Sequence, residues 1–370
     1  MNIGTISYNI YGNFTNYGSA LQTYAVHQAV KKVSKGRWTP VLVDYCPDIL
    51  ADKDPLNPFP NMWDQDEESR RMCELTMPAI RENYKKFEDF YTNRFYRTKK
   101  KYTSDNFDEV AEDEKIEGFL CGSDTIFCPD EFGIDDGYYA NYPSMKGKSI
   151  AYAASFGDPH FTEETYPILN DRLKNFKAFG LRENLMVPYV SEHVQVPVEK
   201  VIDPTLLLEP DEYESIVAPD RLVEDKYLLL YSRRYNKDME RYAEKLAKEK
   251  GWKIVEISLR ATNASKGHIM YYQAGVEEFL SLVKHAEYVV TNSFHGMIFA
   301  VQFSRDFVIF SREQCNTKIT ELLELFGLTD RALVKGCEPT KPIDYKKVHK
   351  NIAMAREKSL TYLEMELSLL

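Results

Sequence analysis

Four short stretches of this sequence place reactive side chains where an apolar run breaks off. In "YVVTNSFHG" (288–296), β-branched residues give way to Asn292, Ser293, His295 and Gly296. Histidine titrates near neutrality, so it can pass a proton at ordinary pH. In "LRE" (181–183) the run ends on Arg182 and Glu183. A guanidinium can grip a carboxylate or a phosphate through two parallel hydrogen bonds. "CGSD" (121–124) supplies Ser123 and Asp124, a carboxylate able to orient a hydroxyl or a cationic side chain. "NYGSALQ" (16–22) supplies Asn16, Tyr17, Gly18, Ser19 and Gln22. There Gly18 permits close backbone approach, and free N–H groups of a following helix could receive an anion or a sugar hydroxyl. Downstream, Arg312 and Lys318 are candidates for phosphate.

Each stretch also has a plain structural reading. Ser19 could be the N-cap of a helix, and Asp124 could cap the segment after it. Arg182 could pair with Glu183 for structure alone. His295 could be a satisfied histidine beside a helix cap. What favours chemistry is that all four stretches end strand-like segments, because ligands of open parallel sheets bind beyond the carboxyl ends of strands.

The elements that would carry them alternate between strand and helix. Ile3 to Tyr8 reads as a first strand, Ala20 to about Val33 as a helix and Pro40 to Tyr45 as a second strand, the signature of a βαβ unit. Residues 49–115 interrupt the rhythm with charged and aromatic residues at helical spacing, read as a helical insertion that is either a lid or a solvated helix pair. Strands return at 118–124, 149–157 and 200–208. The acidic, two-proline stretch 209–226 is the best linker candidate. Beyond it the alternation restarts: strands at 227–232, 253–258, 287–293 and 306–311, and helices at 237–250, 276–286 and from about Gly296. The tail is one helical pattern with Val348, Ile352, Ala355, Leu363 and Leu367 near one stripe. This predicts an α/β protein of GT-B-like architecture. Two Rossmann-like βα-alternating domains (1–215, with the insertion at about 49–115, and 220–340) flank a cleft, and a C-terminal helix (341–370) returns to the N-terminal domain.

Composition narrows the function. Of 370 residues, 44% are hydrophobic and 28% charged, as in globular proteins, and 25 are tyrosines, which suit wet clefts as well as half-buried positions. A formal net charge of −10 argues against non-specific nucleic-acid binding. The six cysteines show no C-x-x-C pair and no zinc-ligand spacing, and no cluster of metal ligands stands out. "MNIGTISYNI" reads as a strand rather than a signal peptide, and no apolar run reaches the ~18 residues of a membrane span. Together these predict a cytoplasmic protein with reduced thiols.

Taken in order, the stretches resemble the polysaccharide pyruvyl transferase family. "NYGSALQTYAV" with "LVDY", "GSDTIFCP" with "YAASFG", "LRE" with "VIDPTLLL", "FLSLVKHAEYVVTNSFHGMIFAVQF" and "KITELLELFGLTDR" follow the family's sequence of motifs over roughly residues 3–331. The resemblance implies a transferase that moves pyruvate from phosphoenolpyruvate onto two hydroxyls of a sugar as a cyclic ketal, in capsule or exopolysaccharide synthesis, with no cofactor beyond the donor substrate. It makes His295 the general acid and Arg182 a donor-binding residue. Where better-characterised branches carry arginine two residues before the histidine, this chain has Ser293. The donor's anionic groups would then be met by Arg312, Lys318 or Arg233. A lipid-linked acceptor would bring the enzyme to the inner membrane face without a spanning segment. Two other readings share the architecture: a nucleotide-sugar-dependent glycosyltransferase, and a non-catalytic glycan-binding member of a synthesis complex.

Overall fold

The computed structural model describes residues 1–8, 15–57, 65–310, 316–333, 339 and 341–370. Two six-stranded sheets, parallel throughout, form its centre. The first contains β1 (Asn2–Ile6), β2 (Thr39–Leu42), β3 (Ile116–Cys121), β4 (Ser149–Ala154), β5 (Phe176–Leu181) and β6 (Val198–Lys200), in the order β2-β1-β3-β4-β5-β6. The second contains β7 (Tyr227–Tyr231), β8 (Lys253–Ile257), β9 (Ile269–Met270), β10 (Tyr288–Thr291), β11 (Asp306–Phe310) and β12 (Ala332–Leu333), in the order β12-β11-β10-β7-β8-β9. The central strands are apolar at nearly every position because helices cover both faces: every residue of "SIAYAA" and "YLLLY" is buried.

The second order is the doubly wound Rossmann arrangement, whose direction of winding reverses between β7 and β10; the first reverses between β1 and β3. A crevice opens at such a reversal, since the two connecting helices depart to opposite faces. The stretches "NYGS" and "GSD" come after β1 and β3, while "TNSFHG" comes after β10.

The helices are α1 (Tyr17–Val33), α2 (Asp48–Ala51), α3 (Glu67–Arg94), α4 (Val110–Asp113), α5 (Pro129–Phe132), α6 (Thr165–Leu173), α7 (Val187–His193), α8 (Lys237–Lys250), α9 (Val276–His285), α10 (Phe294–Gln302), α11 (Asn316–Phe326) and α12 (Tyr345–Leu367). One continuous hydrophobic cluster joins α1 of the first domain to α9 and α10 of the second and takes in Val348, Ile352, Leu363 and Leu367 of α12. The last helix therefore packs back across α1, β4 and β5.

Three local expectations change. The apolar run 200–208 is not a strand. β6 stops at Lys200, and Pro204–Leu206 form a 3-10 turn capped by Asp203, whose side chain accepts the Thr205 N–H at 3.0 Å. Proline has no N–H to offer a ladder, which favours the turn. α1 begins at Tyr17, three residues before the expected start, with Asn16 rather than Ser19 as N-cap. The insertion is not a solvated helix pair. Its 28-residue helix α3 buries Met72, Ile80, Asn83, Phe87, Phe90 and Tyr91 against the body of the molecule. No helix among the described residues is long and apolar enough to cross a membrane.

Candidate active site

The residues at the carboxyl ends of the two sheets converge where the domains meet. Ser293 lies two residues beyond β10 and caps α10, its hydroxyl accepting the Gly296 N–H at 3.2 Å. That cap turns the chain sharply, and Gly296 fits the turn because a Cβ there would stand 2.7 Å from the Thr291 hydroxyl and 2.9 Å from the Tyr231 ring. His295 projects from the first turn of α10 towards the N-terminal domain. It meets the first turn of α1: a Cβ on Gly18 would lie 2.0 Å from its Nδ1. Glycine is thus required at position 18 by the opposing domain rather than by its own backbone.

On its other side, His295 Nε2 stands 3.5 Å from Asp203 Oδ2, an ion-pair distance without hydrogen-bond geometry. Asp203 is 1% exposed and fully engaged. It accepts from Gln22 Nε2 at 2.6 Å, from Arg182 Nη1 at 2.9 Å and from the Thr205 hydroxyl at 2.5 Å. Burial alone would raise its pKa; the His295 and Arg182 charges and the Thr205 hydroxyl outweigh that and hold the carboxyl well below the usual range. Arg182 also donates through Nε to Glu183 at 3.1 Å, and Glu183 accepts the Ser155 hydroxyl at 2.5 Å. The guanidinium lies 5.1 Å above the Phe294 ring, and its buried Nη2 has no partner among the described residues. Burial pulls the Arg182 pKa down, but Glu183, Asp203 and Asp124 raise it overall, so its charge is fixed.

Asp124 completes the arrangement from β3. The Ser19 hydroxyl donates to its Oδ2, and the Thr125 N–H reaches its Oδ1 at 2.9 Å. Its backbone is left-handed at φ 64°, a conformation aspartate tolerates better than most residues. Burial works to raise its pKa, yet Arg182, Lys318, His295 and the Ser19 hydroxyl bring it below the ordinary value. Ionised groups of both signs are thus packed where little water screens them, the setting in which fixed charge acts most strongly on a reacting substrate.

Gly18, Ser19, Gln22, Asp124, Arg182, Glu183, His295 and Lys318 are accordingly brought into one neighbourhood. The remaining expected site residues have other partners. Asn16 caps α1. Asn292 accepts the Arg233 N–H at 2.9 Å and donates to the Arg234 carbonyl at 2.6 Å, tying the β7 and β10 loops together. Tyr17 donates to the Ala274 carbonyl at 2.7 Å and stacks on Phe279 at 4.3 Å, facing the domain interface. Ser123 presents its carbonyl to the Ser7 hydroxyl. Arg233 bridges the domains by donating to the Thr15 carbonyl at 3.1 Å. Arg312 lies outside the described residues.

Asp203 is the member of this cluster that sequence patterns do not single out. Its one signal is an acid before a proline at the end of an apolar run, inside a stretch that reads as strand throughout. Phe294 and Ser155 escape notice as well, since nothing local marks them. Among the described residues, no three His, Cys, Asp or Glu side chains are arranged to hold a metal ion.

A family model for "Polysaccharide pyruvyl transferase" matches residues 41–314. No curated protein shows a significant match to the sequence. Among solved structures, the Staphylococcus aureus MnaA–UDP co-structure is similar over 99% of this chain and 90% of that one, at 13% identity and a TM-score of 0.49. UDP-GlcNAc 2-epimerase from Neisseria meningitidis bound to UDP-GlcNAc is similar over 99% and 94%, at 12% identity and 0.45. The Escherichia coli ADP-heptose lipopolysaccharide heptosyltransferase II is similar over 97% and 99%, at 9% identity and 0.39.

Proposed function

The chain belongs to the polysaccharide pyruvyl transferase family, and on that premise we propose that it transfers pyruvate from phosphoenolpyruvate to two hydroxyls of one sugar, releasing phosphate and forming a cyclic ketal. The observation that carries this reading is the placing of His295 between Gly18 and Asp203, at the junction of both sheet crevices.

The reaction needs a proton delivered to carbon. His295 protonates the enol methylene, which becomes the methyl group, and C2 turns electrophilic. The neighbouring Asp203 carboxylate stabilises the ring while it carries the proton. A sugar hydroxyl adds to C2 and gives up its proton, replacing the one spent on the methylene. The C2–O bond to phosphate then breaks, and the second hydroxyl closes the ketal, its proton leaving with phosphate. Asp124, held ionised and already accepting a hydroxyl from Ser19, is suited to orient the attacking hydroxyl of the acceptor. Arg182 supplies the fixed positive charge that a donor with both carboxylate and phosphate requires. A glycan acceptor accords with the family; a lipid-linked one would bring the enzyme to the inner face of the membrane in capsule or exopolysaccharide synthesis.

The test is phosphate release from phosphoenolpyruvate by the full chain with lipid-linked glycans from the host, with the product tracked by mass spectrometry. An acceptor-dependent gain of one pyruvyl ketal is expected. His295→Gln should lower the rate by about 10²–10⁴ while leaving donor binding intact. An unchanged rate in that variant, or a donor preference for UDP or GDP sugars in thermal-shift measurements, would overturn the proposal.

A further inference from the structure

A file of aromatic rings leads from the site to solvent along the loops that follow β4 and β5. It starts at Phe156, buried next to Ser155, whose hydroxyl meets Glu183 of the site at 2.5 Å. Ring centroids then follow at 6.1 Å to Phe161, 5.5 Å to Tyr166, 5.4 Å to Tyr189 and 4.2 Å to His193. The loops that carry the rings also carry the site. Ser155, Phe156 and Phe161 follow β4, with Tyr166 in the first turn of α6. Arg182 and Glu183 follow β5, with Tyr189 in the first turn of α7. The inner end of the file is thus tied to the reaction centre, and its outer end is exposed.

Packing of α6 on α7 does not account for the outer rings. Tyr166 has a ring on either side and is still 38% exposed, and His193 is exposed as well. Leu185, in the loop before α7, is 52% exposed. Exposed aromatic and apolar side chains gathered in one place mark a binding surface. Hydrogen bonds hold this one in shape. The His160 N–H donates to Asp130 at 3.2 Å, the Thr162 N–H to the Thr165 hydroxyl at 2.8 Å, and the Tyr189 hydroxyl to Asn170 Oδ1 at 2.7 Å. A surface already ordered gives up little freedom when it binds.

Its charge selects the ligand. Residues 156–166 and 183–193 contain five carboxylates (Asp158, Glu163, Glu164, Glu183 and Glu192) and no lysine or arginine. Anionic lipid or a phosphate-bearing chain would be repelled. A protein interface would be depleted of carboxylates at its core. A neutral sugar fits both features. Its C–H groups, polarised by the ring oxygens, rest on the negative face of an aromatic ring, and its hydroxyls donate to carboxylates. His193 Nδ1–H donates to the Tyr189 carbonyl at 2.8 Å, which makes Nε2 of the neutral ring a further acceptor.

We propose that this file is a platform for the part of the acceptor glycan beyond the reacting sugar, with neutral sugar units stacked on Tyr166 and its neighbours. The proposal rests on the glycan-acceptor reading above and deepens it, since it makes the enzyme selective for acceptor length.

The experiment measures phosphate release from phosphoenolpyruvate by the full chain, on the natural sequence, Tyr166→Ala and Tyr166→Phe. The acceptors are glycans freed by mild acid from the host's lipid-linked pool and sorted into single-repeat and longer fractions. The natural chain should show the lower KM for the longer fraction. Tyr166→Ala should raise that KM by about 3- to 10-fold, the loss of one stacking contact, and leave kcat and the KM of the shorter fraction unchanged. Tyr166→Phe keeps the ring and should behave as the natural chain does. Calorimetric titration with the longer fraction alone reads the same contact without the reaction. A natural chain blind to glycan length would overturn the proposal, as would a Tyr166→Ala chain that loses both fractions alike. So would a Tyr166→Ala chain that keeps its glycan affinity but no longer sediments with phosphatidylglycerol vesicles or no longer self-associates, because the face would then belong to a membrane or a second copy. Glycan binding that depends on Tyr166 in a chain that never releases phosphate would sink the transfer reaction and leave the platform standing.

Discussion

Chemistry in this molecule is decided by contacts between residues far apart in the sequence, and Gly18 with His295 is the plainest case. A methyl group at position 18 would fall 2.0 Å from the imidazole Nδ1, so the imidazole or one of the two helix starts would have to move. Gly18→Ala is therefore expected to abolish acceptor-dependent phosphate release and to cost about 1–3 kcal/mol of stability, the usual toll of overpacking. Denaturant unfolding beside the phosphate assay measures both. Asp203→Asn makes the complementary point. The amide can still meet Gln22 and Thr205 but leaves Arg182 and His295 without their shared counter-charge. Removing one member of a buried ion pair typically costs about 3–5 kcal/mol, which should appear as a large fall in the denaturant midpoint.

At the scale of elements, two helices hold the site in place without entering it. α12 grips the turn that presents Asp203. Arg356 donates to the Leu206 carbonyl at 2.7 Å and the Leu208 carbonyl at 3.1 Å, and the Ser359 hydroxyl accepts the Ile202 N–H at 3.1 Å. Arg356→Ala should loosen that turn and lower kcat more than it raises KM, a split that mere loss of stability would not give. α3 fastens the two domains together. Asn83 donates to the Ala274 carbonyl, and Lys86 pairs with Glu278 at 2.8 Å. The buried amide should matter more than the half-exposed ion pair: about 1–3 kcal/mol for Asn83→Ala against about 0.2–1 kcal/mol for Lys86→Ala. Reversed magnitudes in denaturant unfolding would remove α3 from its role as a buried strap.

At the scale of the whole molecule, the buried charges set the response to acid. Asp124 and Asp203 have pKa values below those of an unfolded carboxylate, so the stability they lend is complete above about pH 4. It is lost as the pH falls further, towards their depressed values. His27 adds a second window. Burial, and to a lesser degree the Lys31 charge, brings its pKa down to about 3, and its Nε2 lies 2.7 Å from the Thr5 hydroxyl. The unfolded chain takes up this proton from about pH 6.5 downwards while the folded one refuses it, so stability should already decline between about pH 6.5 and 3. Chemical unfolding across that range should show the early decline in the natural chain and a flatter profile in His27→Gln.

Much of this was legible in the sequence, because hydrophobic periodicity and turn chemistry are local. The alternation of strands and helices, the stripe on α12 and the polar stretches at strand ends all come from residues within a few positions of one another. His295, Arg182 and Asp124 could be singled out for that reason. What only the tertiary structure decided is which strand ends lie beside which. The order β2-β1-β3 brings Ser19 to Asp124 rather than leaving it to cap a helix. The reversal between β7 and β10 aims His295 across the domain boundary at Gly18. The turn after β6 delivers Asp203, hidden in the sequence inside an apolar run, to the imidazole and the guanidinium together. Strand order and domain packing arise from the burial of whole faces, a sum over the entire chain, so no local pattern of residues can announce them.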